Sequence, residues 1–297
     1  MPRIPQHQLD LFVASATDVS TKEHREFMSR NWFSLESKKR TEPIYHEFGD
    51  NNWLKISADA DIGIATMFDN DILLFIITQY MAALNSGKPP EQISRNFQFT
   101  GYEYFRFIGK QKFSGKGYAD LWKSLERLHH TFVETNLHLG ESRRHSSFTW
   151  LSEIKQVIEG GTHRGFQVSV PDWLYQSVVN KKMVLTLDDG YFDIRSSLER
   201  FLYLFARKSS GWQVGGWGEN IQTLYKKSGS RASFPEFSRA IKKIVAKGSI
   251  LGYKVSILEH KREKALYFLR DNELVELSSK NRQLRGANIW RKGNTDG

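Results

Sequence analysis

The chain has 297 residues, of which 39% are hydrophobic, 13% aromatic and 26% charged, and its formal net charge is +10. That length predicts two domains or one large one, and the aromatic share excludes wholesale disorder. There is no cysteine, which excludes disulfide scaffolds and cysteine-based zinc sites. The positive charge favours a polyanionic partner. The opening MPRIPQHQLDLF lacks a basic segment ahead of a long apolar run, so no signal peptide is expected. The most apolar run, Ile72–Ile77, is too short to span a bilayer. A cytoplasmic protein without membrane contact is expected.

Residues 1–40 read as a polar N-terminal arm, basic towards its end, with one short helix near Glu23–Ser34. A first domain is expected over 41–162. It opens with short strands at Ile44–Phe48 and Trp53–Ile56 around the turn Gly49-Asp50-Asn51, and a third at Ile62–Thr66. Asp69 or Asn70 then caps a helix that Gly87 ends; its interior is apolar nearly all round, which predicts a buried core helix. Lys88-Pro89-Pro90 breaks the chain. A helix over Thr100–Ile108 points Tyr102, Phe105 and Ile108 inward, and Gly109–Gly115 turns into a second helix, Gly117–His129. A strand over Phe132–Leu137, a basic loop with Arg143 and Arg144, and a returning strand over Phe148–Ile158 complete the order of a winged helix. The glycines between Gly160 and Gly165 mark the domain boundary.

A second domain over 163–273 repeats the scheme. Phe166–Val170 and Met183–Leu187 read as strands, Pro171–Val179 as a short helix and Arg195–Lys208 as an apolar one. A helix over Glu219–Lys227 and the turn Ser228-Gly229-Ser230 lead to a helix at Ala232–Lys247. Two strands, Gly252–Leu258 and Ala265–Arg270, flank a loop with Lys261, Arg262 and Lys264. Residues 274–297 are expected to be a frayed tail.

The helix over Ala232–Lys247 is the focus of the charge. At 100° per residue, Phe234, Phe237, Ile241, Ile244 and Val245 form one apolar stripe, with Glu236, Arg239 and Lys243 opposite. Residues Trp217–Arg270 hold twelve Lys or Arg against four Asp or Glu, most of the chain's excess. The pattern recurs 116 positions earlier: Tyr118, Leu121, Leu125 and Leu128 form a stripe, with Asp120, Lys123 and Arg127 opposite. The fold class that follows is α+β, with two tandem winged-helix domains related by an internal repeat.

Such helices present side chains to base edges in the major groove of duplex DNA. Arg239 and Lys243, like Lys123 and Arg127, stand one helical turn apart, within reach of guanine or phosphate. Lys242 and Lys247 add cations, Glu236 and Asp120 can accept from cytosine, and Ser233 caps the helix aimed at DNA. Arg143, Arg144, Lys261, Arg262 and Lys264 would act as wings on phosphate or in the minor groove. For nucleotide hydrolysis there is no G-x-x-x-x-G-K-[ST]; for a nicking enzyme there is no H-x-H pair. Asp59 with Asp61, and Asp69 with Asp71, could hold Mg²⁺ in a nuclease, but aspartates at turns and helix starts explain them better. No cofactor or metal is expected, and no enzymatic activity.

Leu224-Tyr-Lys-Lys-Ser-Gly-Ser230, followed by Phe237 and Ile241, resembles the plasmid replication initiator protein A family, as does Met183–Phe205. The resemblance implies a two-winged-helix initiator that binds origin repeats, or iterons, melts adjacent AT-rich DNA and recruits the host initiator and helicase. It also implies a monomer–dimer equilibrium, and Ser233–Lys247 as the main reader. The alternatives are a dimeric transcriptional repressor and a metal-dependent nickase.

Overall fold

The structure is a computed structural model; it describes residues 11–13, 20–48, 51–111, 114–136, 145–180, 183–210, 215–260 and 263–270. Arg143, Arg144, Lys261, Arg262 and the tail 274–297 lie outside the described residues. The chain divides into two compact units, one of residues up to Arg25 with Ser37–Phe192, the other of Glu26–Glu36 with the residues from Asp193 onward.

The first unit runs β1 (Leu11–Val13), β2 (Lys22–His24), β3 (Ile44–Phe48), β4 (Asn52–Ala58), α1 (Asn70–Asn85), β5 (Asn96–Phe99), α2 (Gly101–Phe107) and α3 (Gly115–His129). It continues through β6 (Thr131–Thr135), β7 (Ser146–Thr149), β8 (Glu153–Glu159), β9 (Thr162–Ser169), α4 (Asp172–Val179) and β10 (Val184–Thr186). Its axis is α1. Every residue from Asn70 to Met81 is buried, as expected of a helix apolar nearly all round. Phe75 on α1 meets Phe97, Phe99, Tyr104 and Phe107 with ring centroids 5.2 to 5.9 Å apart. Two four-stranded sheets, β1-β5-β9-β8 and β3-β4-β6-β7, and the pair β10-β2 complete the unit.

The second unit runs α5 (Ser197–Ser210), β11 (Trp217–Asn220), α6 (Ile221–Ser228), α7 (Phe234–Lys247), β12 (Ser249–Ile250), β13 (Tyr253–His260) and β14 (Glu263–Arg270). Its sheet is ordered β11-β14-β13-β12. Phe201–Ala206 of α5 are all buried, with Phe205 meeting Phe268 and Tyr203 meeting Tyr253 of the sheet.

The fold departs from the sequence expectations in six places. Residues 20–40 are no solvated arm: β2 pairs antiparallel with β10, and Phe27, Met28, Trp32 and Phe33 are buried in the second unit. The expected helix there is only a short 3₁₀ turn, Arg25–Met28. Ile62–Thr66 is not a strand, because Ile62 and Gly63 N–H groups turn back to the Asp59 carbonyl and Gly63 takes φ +84°. The single strand expected over Phe148–Ile158 is two strands in different sheets. Adjacent Trp150 and Leu151 are both buried, which no alternating strand allows.

Gly160-Gly161 is not a domain boundary but the turn of the β8–β9 hairpin, with φ +57° and +77°, the left-handed pair that a type I′ turn requires. The boundary expected at 162/163 therefore falls inside a hairpin, and the compact units divide after Phe192. Lastly, Trp217–Asn220 is a strand, so α6 begins at Ile221. Tyr102, expected inward, is 50% exposed, because α2 turns Tyr104 and Phe105 to the core instead.

Candidate nucleic-acid interface

In α7, Pro235 occupies the first turn, where its missing N–H costs nothing. The N–H and hydroxyl of Ser233 both donate to Glu236, at 2.9 and 2.8 Å. The Ser233 hydroxyl first, then its N–H, hold the Glu236 carboxyl below its ordinary range. Gly248, at φ +86°, ends the helix by donating to the Val245 carbonyl. Phe237, Ile241 and Ile244 are buried, while Phe234 and Val245 are half-buried at the edges of the stripe.

The outward face carries Arg239, Lys242 and Lys243, all exposed. Among the described residues no carboxylate forms an ion pair with any of the three within 4 Å. Lys247 instead pairs with Glu199 on α5, and Lys264 with Glu259 across the hairpin at 3.7 Å. Glu236 is engaged in the cap. Exposed Lys226 and Lys254 add positive charge to this unit; neither was among the expected contact residues, since neither lies on the periodic helix.

In α3 the expected inward residues Leu121, Leu125 and Leu128 are buried, each 116 positions before Phe237, Ile241 and Ile244. Asp120 and Lys123 are exposed. Arg127 is not available to a partner: its Nε and Nη2 donate to the two oxygens of Asp69 at 2.7 and 2.6 Å. Those hydrogen bonds, ahead of every other influence, raise the guanidinium pKa further. Asp69 is 2% exposed and also accepts from the Thr66 N–H and hydroxyl, so this ion pair ties α3 to the start of α1. Asp59, another of the four aspartates weighed for Mg²⁺, pairs with His130.

The residues that carried the family resemblance build a turn. Gly229, at φ +60°, ends α6; Ser228 Oγ donates to the Tyr225 carbonyl at 2.7 Å, and the Tyr225 hydroxyl reaches the Ala232 carbonyl at 2.8 Å. Asn31 closes the arrangement. Its N–H donates to the Lys227 carbonyl and its amide to the Ser228 carbonyl, each at 2.9 Å.

The family model for replication initiator protein A matches residues 22–255. The chain belongs to the replication initiator protein A family. Initiation of DNA replication is the role that goes with this membership. A protein of Wigglesworthia glossinidia brevipalpis that bears a replication-protein name is 32% identical over 252 residues, 83% of this chain and 88% of that one. In fold, this initiator is similar to domains 2 and 3 of RctB, with TM-score 0.58 at 12% identity, covering 83% of this chain and 98% of that one. A second structure of RctB domains 2–3 gives TM-score 0.52, also at 12% identity, with 81% and 95% covered.

Proposed function

We propose that this initiator binds duplex DNA sequence-specifically at repeats in a plasmid origin, without a catalytic step of its own. Each compact unit is a winged helix on this reading. The support is a similar element order, helix–strand–helix–helix–hairpin, with β6 and β7 of the other sheet inserted before the hairpin in the first unit and short β12 in the second, and with the lone strand beside the last strand of the hairpin in both: β5-β9-β8 and β11-β14-β13. Thr100, directly after β5, and Asn220, the last residue of β11, each cap the second helix. An internal repeat accounts for both units, with the hairpin β8–β9, rather than the loop holding Arg143 and Arg144, as the first unit's wing.

The observation that carries the proposal is the outward face of α7, where Arg239, Lys242 and Lys243 stand exposed without an ion-pair partner among the described residues. A helix packed by its apolar stripe and free on its cationic face suits the major groove. Lys123 on α3 makes a lesser contact, and Lys264 with Lys261 and Arg262 serves the second wing. The bound initiator recruits the host initiator and helicase in the cytoplasm and exchanges between monomer and dimer. The test is footprinting of the chain on origin DNA with direct repeats. Protection of the repeats followed by opening of adjacent DNA is expected; protection without opening would make the chain a repressor, and nicked circles with Mg²⁺ would make it a nickase.

A further inference from the structure

Beside α3 the first unit holds an open cleft of about 610 Å³, within the size range of small-molecule sites (roughly 300–1,000 Å³). Its walls are Tyr118 and Trp122 from α3 and His163 and Phe166 from β9, with Lys123 and Gln156 at polar positions. The rings form one connected group. Trp122 stacks on Phe166 at 6.2 Å and 20°, His163 lies 4.7 Å from Phe166, and Tyr118 meets His163 edge-on at 6.0 Å. The indole is fixed by its Nε1–H, which donates to Glu126 Oε1 at 2.9 Å.

The two helices diverge at this point. Counting 116 onward, Trp122 falls on Ser238 and Glu126 on Lys242. Where α7 offers an exposed cation, α3 offers a carboxylate already engaged by an indole. Arg127, at the slot of Lys243, belongs to Asp69. This face is thus poorly built for a phosphate backbone and well built for a flat ring. Ile158, 60% exposed and paired with His163 at the outer end of the hairpin, extends the apolar surface.

We propose that this cleft binds an unstacked nucleobase, stacked on Trp122, with Gln156 reading its polar edge and Lys123 meeting the attached phosphate. Aromatic faces accept any base, and an amide can both donate and accept, the combination used by proteins that hold single strands. A protein segment would be equally served by the rings, but the concave shape and the amide–ammonium pair favour a nucleotide. The ligand comes either from a single strand or from the free nucleotide pool. The inference rests on the reading of the chain as a nucleic-acid protein, yet it concerns a different surface from α7.

The test titrates the full chain into a 2-aminopurine-labelled oligothymidylate and, separately, into free 2-aminopurine deoxynucleoside triphosphate. Quenching is expected with at least one probe, and which one responds identifies the source. Trp122→Ala should weaken it at least about fivefold, the stacking of one base. Trp122→Phe should retain most of it, and Gln156→Ala, at an exposed position, should weaken it without touching the fold. Duplex binding should be unchanged in the two Trp122 variants. Wild-type chain that shifts duplex origin DNA but quenches neither probe overturns the cleft and leaves the proposed function standing. Quenching that survives Trp122→Ala also overturns it. So does a Trp122→Ala variant that loses only self-association, which would make the cleft a protein contact. Failure of wild type with duplex and probes alike would remove both readings.

Discussion

Arg127 and Asp69 form a two-pronged ion pair at 2.7 and 2.6 Å, at the helical slot where α7 carries Lys243 exposed. One prong alone would be replaceable; two, onto a carboxylate that is 2% exposed, are not. Truncating Arg127 would leave Asp69 buried and charged, with only Thr66 as donor. Arg127→Ala is expected to destabilise the chain by about 3 kcal/mol, at the lower end of the cost of breaking a buried pair. Urea unfolding measures this. A double-mutant cycle with Asp69→Asn should show strong coupling, because the two changes remove one interaction. Specific DNA affinity, measured under conditions where the variant is folded, should be unaffected.

On α7 the expectation is reversed. Arg239, Lys242 and Lys243 touch no described carboxylate, so removing them should barely move the melting temperature. Arg239→Ala is expected to cost about 1–3 kcal/mol of binding to the cognate site and to relax preference at one base position. A lysine that meets phosphate should instead weaken all sequences alike and reduce the salt slope by about one. Mobility-shift titrations at several salt concentrations separate the two behaviours. Unchanged affinity in both Arg239→Ala and Lys243→Ala would remove α7 as the reader.

Local signals made α7 and α3 legible in the sequence: the 3.6-residue stripe in both, and in α7 the capping serine as well. The burial of Leu121, Leu125 and Leu128 at the slots of Phe237, Ile241 and Ile244 shows how far periodicity alone reaches. What periodicity does not encode is partnership at a distance. Arg127 looks like Lys243 until Asp69, 58 residues away in sequence, is brought beside it. Residues 20–40 look like an arm because their apolar residues, Phe27, Met28, Trp32 and Phe33, are few and set in a polar stretch that turns basic towards its end. Gly160-Gly161 signals a turn in either reading, and only the pairing of β8 with β9 shows that it closes a hairpin.

Asn31 gives the short segment Glu26–Glu36 its place in the second unit. It is 2% exposed and its amide satisfies the Ser228 carbonyl at the end of α6. Helix ends leave such carbonyls without intrahelical partners. Asn31→Ala leaves the carbonyl buried with one donor fewer, at an expected cost of about 2 kcal/mol. Asn31→Asp should be worse, since a carboxylate there faces carbonyl oxygens and cannot donate. Thermal unfolding of the two variants, with the order Asp below Ala below wild type, checks the assignment. Equal stability of all three would mean that the segment is held by its aromatic residues alone.

Glu23 makes stability depend on pH with a definite sign. Its side chain is fully buried between β2 and α1, and that burial pushes its pKa from 4.5 up to about 8, against the opposing hydrogen bonds from Asn70 and the His24 N–H; Asp71 adds to the rise. A neutral carboxyl also suits its neighbour: with the Asn70 amide turned over, the Glu23 O–H donates to Asn70 Oδ1, which otherwise has no partner among the described residues. In the unfolded chain Glu23 loses its proton near 4.5, so between 4.5 and about 8 the folded state holds one more proton than the unfolded state. Stability from this group is therefore fully present below pH 4.5 and is lost as pH rises through about 8. The loss amounts to at most about 5 kcal/mol. Unfolding free energies measured at pH 6 and pH 9 should fall with rising pH in wild type. In Glu23→Gln, which cannot ionise, that fall should be absent or much reduced. A variant as pH-sensitive as wild type would place the dependence elsewhere, and stability that rises with pH in wild type would show that Glu23 is ionised in the folded chain.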